Sequence, residues 1–245
     1  MAGKLSGKVA LVTGGSVGIG LGIAKRFAEE GARVFVTGRR QSQLDKAVAA
    51  IGGNAAGLRG DVSDLADLDR IFARIRAEAG RIDVLAANAG FYELGALGEI
   101  TEEHFDKTFS TNVRGLLFTV QRALPLLAEG ASVILTGSMA SIKGFASLSV
   151  YNASKAAVRS FARSWTADLK GRGIRVNALS PGYTDTPGNA QFMTDETRAS
   201  AIASVPLGRI GVPNDLGKAA VFLASDDSAY IAGVELFVDG GAGQI

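Results

Sequence analysis

A doubly wound α/β fold, with a parallel sheet covered by helices on both faces, is the fold class this sequence predicts. Three observations carry the prediction. Short apolar runs rich in β-branched residues alternate with longer stretches of helical periodicity along the whole chain. The strand-like runs are nearly all apolar rather than alternating, as strands buried on both faces must be. Glycine is in excess, with 32 of 245 residues against a usual ~7%. A sheet that binds a ligand along one edge needs backbone that can come close.

The elements follow in order. Residues 9–12 form a first buried strand, and 19–30 a helix with Ile19, Ile23, Phe27 and Ala28 at helical spacing. The second strand is 33–37 and the second helix 41–51; a weaker third strand spans 54–59. Ser63 is placed to N-cap a helix over 64–79, with Leu65, Leu68, Ile71, Phe72 and Ile75 on one face. A fourth strand at 83–86 leads to one long helix over about 102–127, its last turn bent by Pro125. The fifth strand is 132–136, and a helix over 151–170 stops near Gly171. A sixth strand (174–179), a short polar helix (195–204), a helix opened by Pro213 (213–224) and a last strand (234–238) complete the chain. No linker, repeat or low-complexity run intervenes, so 1–245 read as a single domain, with 187–204 as a mobile substrate-loop insertion.

Composition excludes several function classes. Net charge is +2, without the basic excess of a nucleic-acid binder. Cysteine is absent, which removes disulfide scaffolds, thiol nucleophiles and cysteine metal sites and fits a cytoplasmic protein. His104 is the only histidine, so no multi-histidine metal site is expected and a Ser–His–Asp triad would have to use it. His104 itself reads as a surface residue on an acid-rich helix. No apolar run is long enough for a signal sequence or a membrane span, so neither is expected.

The segment Thr13-Gly14-Gly15-Ser16-Val17-Gly18-Ile19-Gly20 joins the first strand to the first helix. Its glycines let backbone turn tightly against a pyrophosphate, and the helix start offers free N–H groups to that anion. No Gly-Lys-Ser/Thr follows, so it is not a Walker A loop. Dinucleotide choice is set at the end of the second strand. An acid there would suit a ribose 2′-hydroxyl; this chain has Arg39 and Arg40, which suit a 2′-phosphate or form a solvated pair at a helix start. NADP(H) is favoured and NAD(H) stays open. Asp61, followed by Val62, suits either the adenine edge or the charged start of the next helix. Asn88-Ala89-Gly90 closes the fourth strand with small residues that leave space for a ribose.

Tyr151 and Lys155 are four apart on a predicted helix, hence on one face. A free tyrosine titrates near ~10, and an adjacent ammonium favours its phenolate. Ser138, just past the fifth strand, falls at the same sheet edge as the glycine-rich turn and can polarise a substrate oxygen.

Together these segments resemble the short-chain dehydrogenase/reductase family over essentially the whole chain. The match runs through Thr13-Gly14-x3-Gly18-x-Gly20, Asp61-Val62, Asn88-Ala89-Gly90, Asn112, Ser138, Tyr151-x3-Lys155, Pro181-Gly182 and Val238-Asp239-Gly240-Gly241. The resemblance implies a seven-stranded Rossmann-type fold and hydride transfer between a nicotinamide and a carbonyl or secondary alcohol. It implies that Tyr151 is the general acid or base, that Lys155 lowers its pKa and holds the nicotinamide ribose, and that Ser138 orients the substrate oxygen. Asn112 resembles the family's helix-kinking asparagine, which supports a proton relay. Pro181, Gly182, Thr184 and Thr186 resemble the segment that clasps the carboxamide. Val17 stands where many NADP-using relatives carry a basic residue.

A 3-oxoacyl-carrier-protein reductase is the alternative enzyme reading: Arg172 matches a carrier-docking position, whereas Leu127-Ala128-Glu129-Gly130 lacks the basic residues often found there. A lyase or epimerase would need a longer C-terminal region. A non-catalytic dinucleotide sensor or scaffold is the alternative of another class. The substrate wall is expected from Phe145, Leu148, Phe91, Tyr92, Tyr183, Phe192 and Met193, each of which could instead be core or subunit interface. A homotetramer is expected by resemblance, with Phe161, Trp165, Leu169 and residues 236–238 as candidate contacts.

Overall fold

The computed structural model describes residues 2–190 and 193–245. Seven strands make one sheet: β1 (Val9–Val12), β2 (Arg33–Gly38), β3 (Ala56–Arg59), β4 (Ile82–Ala87), β5 (Leu127–Thr136), β6 (Arg175–Pro181) and β7 (Glu235–Val238). Their order is β3-β2-β1-β4-β5-β6-β7, and every pairing is parallel. The chain leaves β1 toward β2 on one side and later returns to lay β4 on the other. That reversal opens a crevice at the carboxyl ends of β1 and β4, where open sheets of this kind bind ligands.

Eight helices surround the sheet among the described residues: α1 (Gly18–Glu29), α2 (Gln41–Ile51), α3 (Leu65–Ala79), α4 (Glu102–Phe109), α5 (Leu116–Ala123), α6 (Ser149–Asp168), α7 (Asp195–Ala203) and α8 (Pro213–Ala224). Strand residues divide by parity between two cores. Leu11, Phe35, Leu85, Val133 and Val176 meet Ile71, Ile75, Val120 and Val158 on one face. Ala10, Val12, Val34, Ala86 and Ile134 meet Ile23, Phe27, Leu216 and Leu223 on the other. That double burial explains why the strands read as continuous apolar runs.

α1 and α8 pack at close quarters through glycine. A Cβ on Gly217 would sit 2.5 Å from the Arg26 side chain and 2.7 Å from the Gly22 carbonyl oxygen. Gly217→Ala is therefore expected to destabilise the chain by about 1–3 kcal/mol through overpacking, read as a fall in the urea midpoint with an unchanged slope.

Four expectations are corrected. Asp64, not Ser63, caps α3, accepting from the Ala66 N–H at 2.8 Å; the Ser63 hydroxyl turns back to Asp61. The long helix over 102–127 is two helices, α4 and α5, separated by a π-helical turn at Ser110–Gly115. α5 stops at Ala123, so Pro125 lies beyond it, and β5 begins five residues earlier than the apolar run suggests, at Leu127. His104 is buried at 8% exposure rather than lying on the surface; its backbone N–H donates to Thr101, whose hydroxyl caps α4.

Candidate active site

One cleft of about 360 Å³ runs along the carboxyl edge of the sheet. It collects Gly14, Ser16, Val17, Ile19 and Gly20 from the glycine-rich turn, and Arg39, Arg40, Asp61 and Val62 from the ends of β2 and β3. Asn88, Ala89 and Gly90 line it from β4, and Pro181, Gly182, Thr184 and Thr186 from beyond β6. Ser138, Tyr151 and Lys155 complete it. Of the predicted residues that the structure describes, Gly18, Asn112, Phe145, Leu148, Tyr183 and Met193 stand outside this lining.

The turn is built by close approach. Gly14 has φ +63°, and a Cβ on Gly20 would lie 2.3 Å from the Gly14 carbonyl oxygen and 2.5 Å from the Asn88 amide. Asn88 ties the turn to the sheet: its Nδ2 donates to the Thr13 carbonyl at 3.1 Å, and its Oδ1 accepts from the Thr136 hydroxyl at 3.3 Å. The Thr13 hydroxyl accepts from the backbone N–H groups of Asn88 and Ala89. Val17, the N-cap of α1, offers no side-chain cap. The first N–H groups of α1 therefore stay available to an anion, with the helix dipole aligned behind them.

At the far end the Arg39 guanidinium lies 3.6 Å from the Asp61 carboxylate and is 73% exposed. Asp61 is further held by the Ser63 N–H and hydroxyl. Uncapped N–H groups at one end and guanidiniums at the other, with small residues between, fit an extended phosphate-bearing dinucleotide. The NAD(P) requirement of the fold is met by this donor set.

The reaction centre sits where α6 crosses the β5 end. Lys155 is 4% exposed, and its Nζ donates to the Thr136 carbonyl at 2.8 Å. That Nζ is also 5.6 Å from the centroid of the Tyr151 ring, one helical turn earlier. Burial holds the ammonium down at about 8. Burial also pushes the Tyr151 phenol up to about 12, with the facing Ser138 hydroxyl pulling it the other way and Tyr92 adding to the rise. Among the chain's own groups, desolvation thus outweighs the lowering that Lys155 was expected to give. The tyrosine keeps its proton, as an acid for carbonyl reduction must.

Asn112 is fully buried within the π turn. Its Oδ1 accepts from the Phe91 N–H, and its Nδ2 donates to the Phe91 carbonyl, each at 2.8 Å, and to the Ser154 hydroxyl at 3.0 Å. The wider turn is what brings this side chain inward, a common use of π geometry at functional sites. Asn112 thereby fixes the loop after Gly90 against the helix that carries Tyr151 and Lys155.

Several cleft residues had no signal of their own in the sequence. Thr136 acts through its backbone carbonyl, which any residue type could supply. Thr37 and Thr111 line the cleft without belonging to a motif. Asn189 was legible only as part of the expected loop: its Oδ1 accepts from the Tyr92 hydroxyl at 3.0 Å, and its Nδ2 donates to the Thr184 carbonyl. The Tyr92 and Tyr151 rings lie 5.7 Å apart. Phe145 and Tyr183 meet edge to face in a separate apolar cluster with Met139, Val205 and Ala242. Phe192 lies outside the described residues.

Arg172 does not present a free docking charge. Its guanidinium donates to Glu129 and to the backbone carbonyls of Leu124 and Leu127, closing the turn between α5 and β5.

A sheet of this order with Ser, Tyr and Lys converging beside a glycine-built anion site defines a nicotinamide-dependent oxidoreductase. Residues 14–243 match the family model described as Enoyl-(Acyl carrier protein) reductase. Oxidoreductase AsL5 of Sarocladium schorii is 48% identical, over 99% of this chain and 98% of its own. The NADP-dependent (R)-specific alcohol dehydrogenase of Lentilactobacillus kefiri is 39% identical, over 98% of each chain. A solved short-chain type dehydrogenase/reductase from Mycobacterium marinum superposes with a TM-score of 0.89 at 34% identity, covering 98% of this chain and 96% of that one. The chain belongs to the short-chain dehydrogenase/reductase family. It is an NAD(P)-dependent oxidoreductase that acts on carbonyl and alcohol groups of small molecules. No helix among the described residues is long and apolar enough to cross a membrane.

Proposed function

We propose that the chain reduces a carbonyl of a small or medium, moderately apolar compound with NADPH as the preferred donor, and catalyses the reverse oxidation. The carrying observation is Lys155 held on the Thr136 carbonyl one helical turn from Tyr151, in the cleft that Ser138 also lines. The nicotinamide, when bound, supplies the hydride for reduction and accepts it in oxidation. Ser138 donates to the substrate oxygen and stabilises the charge that develops there. Tyr151 gives that oxygen its proton in reduction and removes it in oxidation. Lys155 holds the ribose hydroxyls and, through its charge, favours loss of the Tyr151 proton. Asn112 anchors the relay that restores that proton. A nicotinamide-absorbance assay against ketones, sugars, steroids and acyl thioesters, with NADH and NADPH in parallel, tests the reading; no turnover of any class would reject it.

The NADP(H) preference rests on Arg39, with Arg40 beside it. A charge-assisted hydrogen bond to a 2′-phosphate contributes about 1.5–3 kcal/mol. Arg39→Ala is therefore expected to weaken NADPH about 10- to 100-fold and to leave NADH nearly unchanged, as measured by fluorescence titration. Equal losses for both dinucleotides would count against the assignment.

Tyr92 and the described parts of 187–204 form the substrate side, with Tyr183 and Phe145 behind. The Tyr92–Asn189 hydrogen bond supports that reading. Proteolytic cleavage in this stretch is expected to slow when nucleotide and substrate are both bound. A homotetramer belongs to the same proposal, supported by stacked Phe161–Trp165 on α6 and by Phe105, 45% exposed and stacked on Phe109 in α4. Sedimentation showing only monomer at micromolar concentration would reject it. A cytoplasmic location, supported by the cysteine-free sequence, is checked by cell fractionation.

A further inference from the structure

Glu235, on the edge strand β7, takes no part in the chemistry above, yet its side chain is only 7% exposed. Burying a carboxylate is costly unless hydrogen bonds or opposite charge compensate it. Here the compensation comes from three elements at once. Oε1 accepts from the Ser141 hydroxyl at 2.5 Å and from the Ser180 hydroxyl at 2.6 Å, while Oε2 lies 3.8 Å from the Arg159 Nε.

Each of those partners sits one step from the reaction centre. Ser141 closes the short turn that Ser138 opens: its N–H donates to the Ser138 carbonyl at 2.9 Å, and the Ser138 hydroxyl accepts from the Ala140 N–H at 3.1 Å. Ser180 precedes Pro181 at the end of β6. Arg159 follows Lys155 by one turn on α6, as Lys155 follows Tyr151. The contact under Gly137 is the tightest: a Cβ there would fall 2.2 Å from the Ser180 hydroxyl oxygen and 3.5 Å from the Glu235 carboxylate. Gly137 stands between Thr136, whose carbonyl holds Lys155, and Ser138. The carboxylate thus seats the backbone from which both the serine hydroxyl and the lysine tether are hung.

We infer that Glu235 is a positioning residue for the reaction, holding the 137–141 turn, and with it the Ser138 hydroxyl, against α6 through Ser141, Ser180 and Arg159. The inference rests on the role given to Ser138 above. The test is Glu235→Gln, which keeps the shape but sets an amide donor against a serine hydroxyl or Arg159, together with the milder Ser141→Ala. With the carbonyl compound turned over fastest in the panel, each variant is expected to lose about 10- to 100-fold in kcat through misplacement. KM and nucleotide affinity should hold, the loss in kcat should exceed what any fall in the unfolding midpoint accounts for, and the double variant should be no worse than Glu235→Gln alone. Backbone amide exchange should rise at 138–143, a readout that needs no substrate. Unchanged kcat, a loss that merely tracks the unfolding midpoint, additive losses or unaltered exchange would each overturn the inference. If Tyr151→Phe also leaves turnover intact, the catalytic assignment fails instead, and amide exchange alone still decides whether Glu235 holds the turn.

Discussion

Tyr151→Phe is expected to lower kcat about 10²- to 10⁴-fold, the usual contribution of a positioned general acid–base group. The substitution removes one oxygen and leaves the ring that packs beside Tyr92 and under the Lys155 ammonium. Nothing in the fold depends on the hydroxyl, whose facing partner is the Ser138 hydroxyl. Nucleotide affinity, read by fluorescence titration, should stay at its wild-type value, and the unfolding midpoint should hold or rise slightly. Burial keeps the phenol protonated up to about 12, so the acid for reduction is loaded across the neutral range. Retained turnover in the phenylalanine variant would remove Tyr151 from the mechanism.

The second large effect is one of stability against pH, carried by Lys155. Its folded pKa is about 8 against an ordinary 10.5, because burial disfavours the ammonium. Folding therefore favours the neutral amine. The stability this group contributes is full above pH 10.5 and is lost as the pH falls through about 8. At ~1.36 kcal/mol per pH unit the loss is about 3 kcal/mol. Lys155→Met keeps the length and apolar stem without the charge. Wild-type stability, measured by urea unfolding, should fall by that amount between pH 10.5 and 8 relative to the methionine variant. Tyr151 works in the opposite sense above pH 10 and is present in both proteins. The methionine variant should also lose turnover and ribose binding, so the ammonium is kept for function at a standing cost in stability. Parallel pH profiles for the two proteins would show that the ammonium is not buried at all.

How much was legible beforehand differs by element. Strands β1, β2, β4 and β6 were readable because both faces are buried, so their apolar runs admit little else. β5 began earlier than its pattern implied: Glu129 and Gly130 carry no strand signal, and parallel pairing with β4 recruits the segment. The split between α4 and α5 was hidden for a similar reason. A π turn has no composition of its own, and the partners that hold Asn112 inward lie on the Phe91 backbone, 21 residues away. His104 looked like a surface residue among acids because local periodicity cannot see the loop that covers it: the missing Cβ of Gly95 would sit 2.8 Å from the imidazole.

The glycine excess separates the two levels. Seven glycines, Gly14, Gly20, Gly38, Gly60, Gly90, Gly137 and Gly182, line the cleft. Gly15 is instead pressed against Val36, and Gly18 lies outside the lining. Residue types and their order along the chain determined the sheet, the helix faces, and the spacing that puts Tyr151 beside Lys155. These depend on local periodicity and on which atoms a motif can supply. Tertiary structure alone decided that Lys155 hangs from a carbonyl, that Arg172 is internally committed, and that Glu235 underlies the serine turn. Those are contacts between residues 19 to 94 positions apart, and desolvation and hydrogen-bond geometry exist only once such distant groups share one interior.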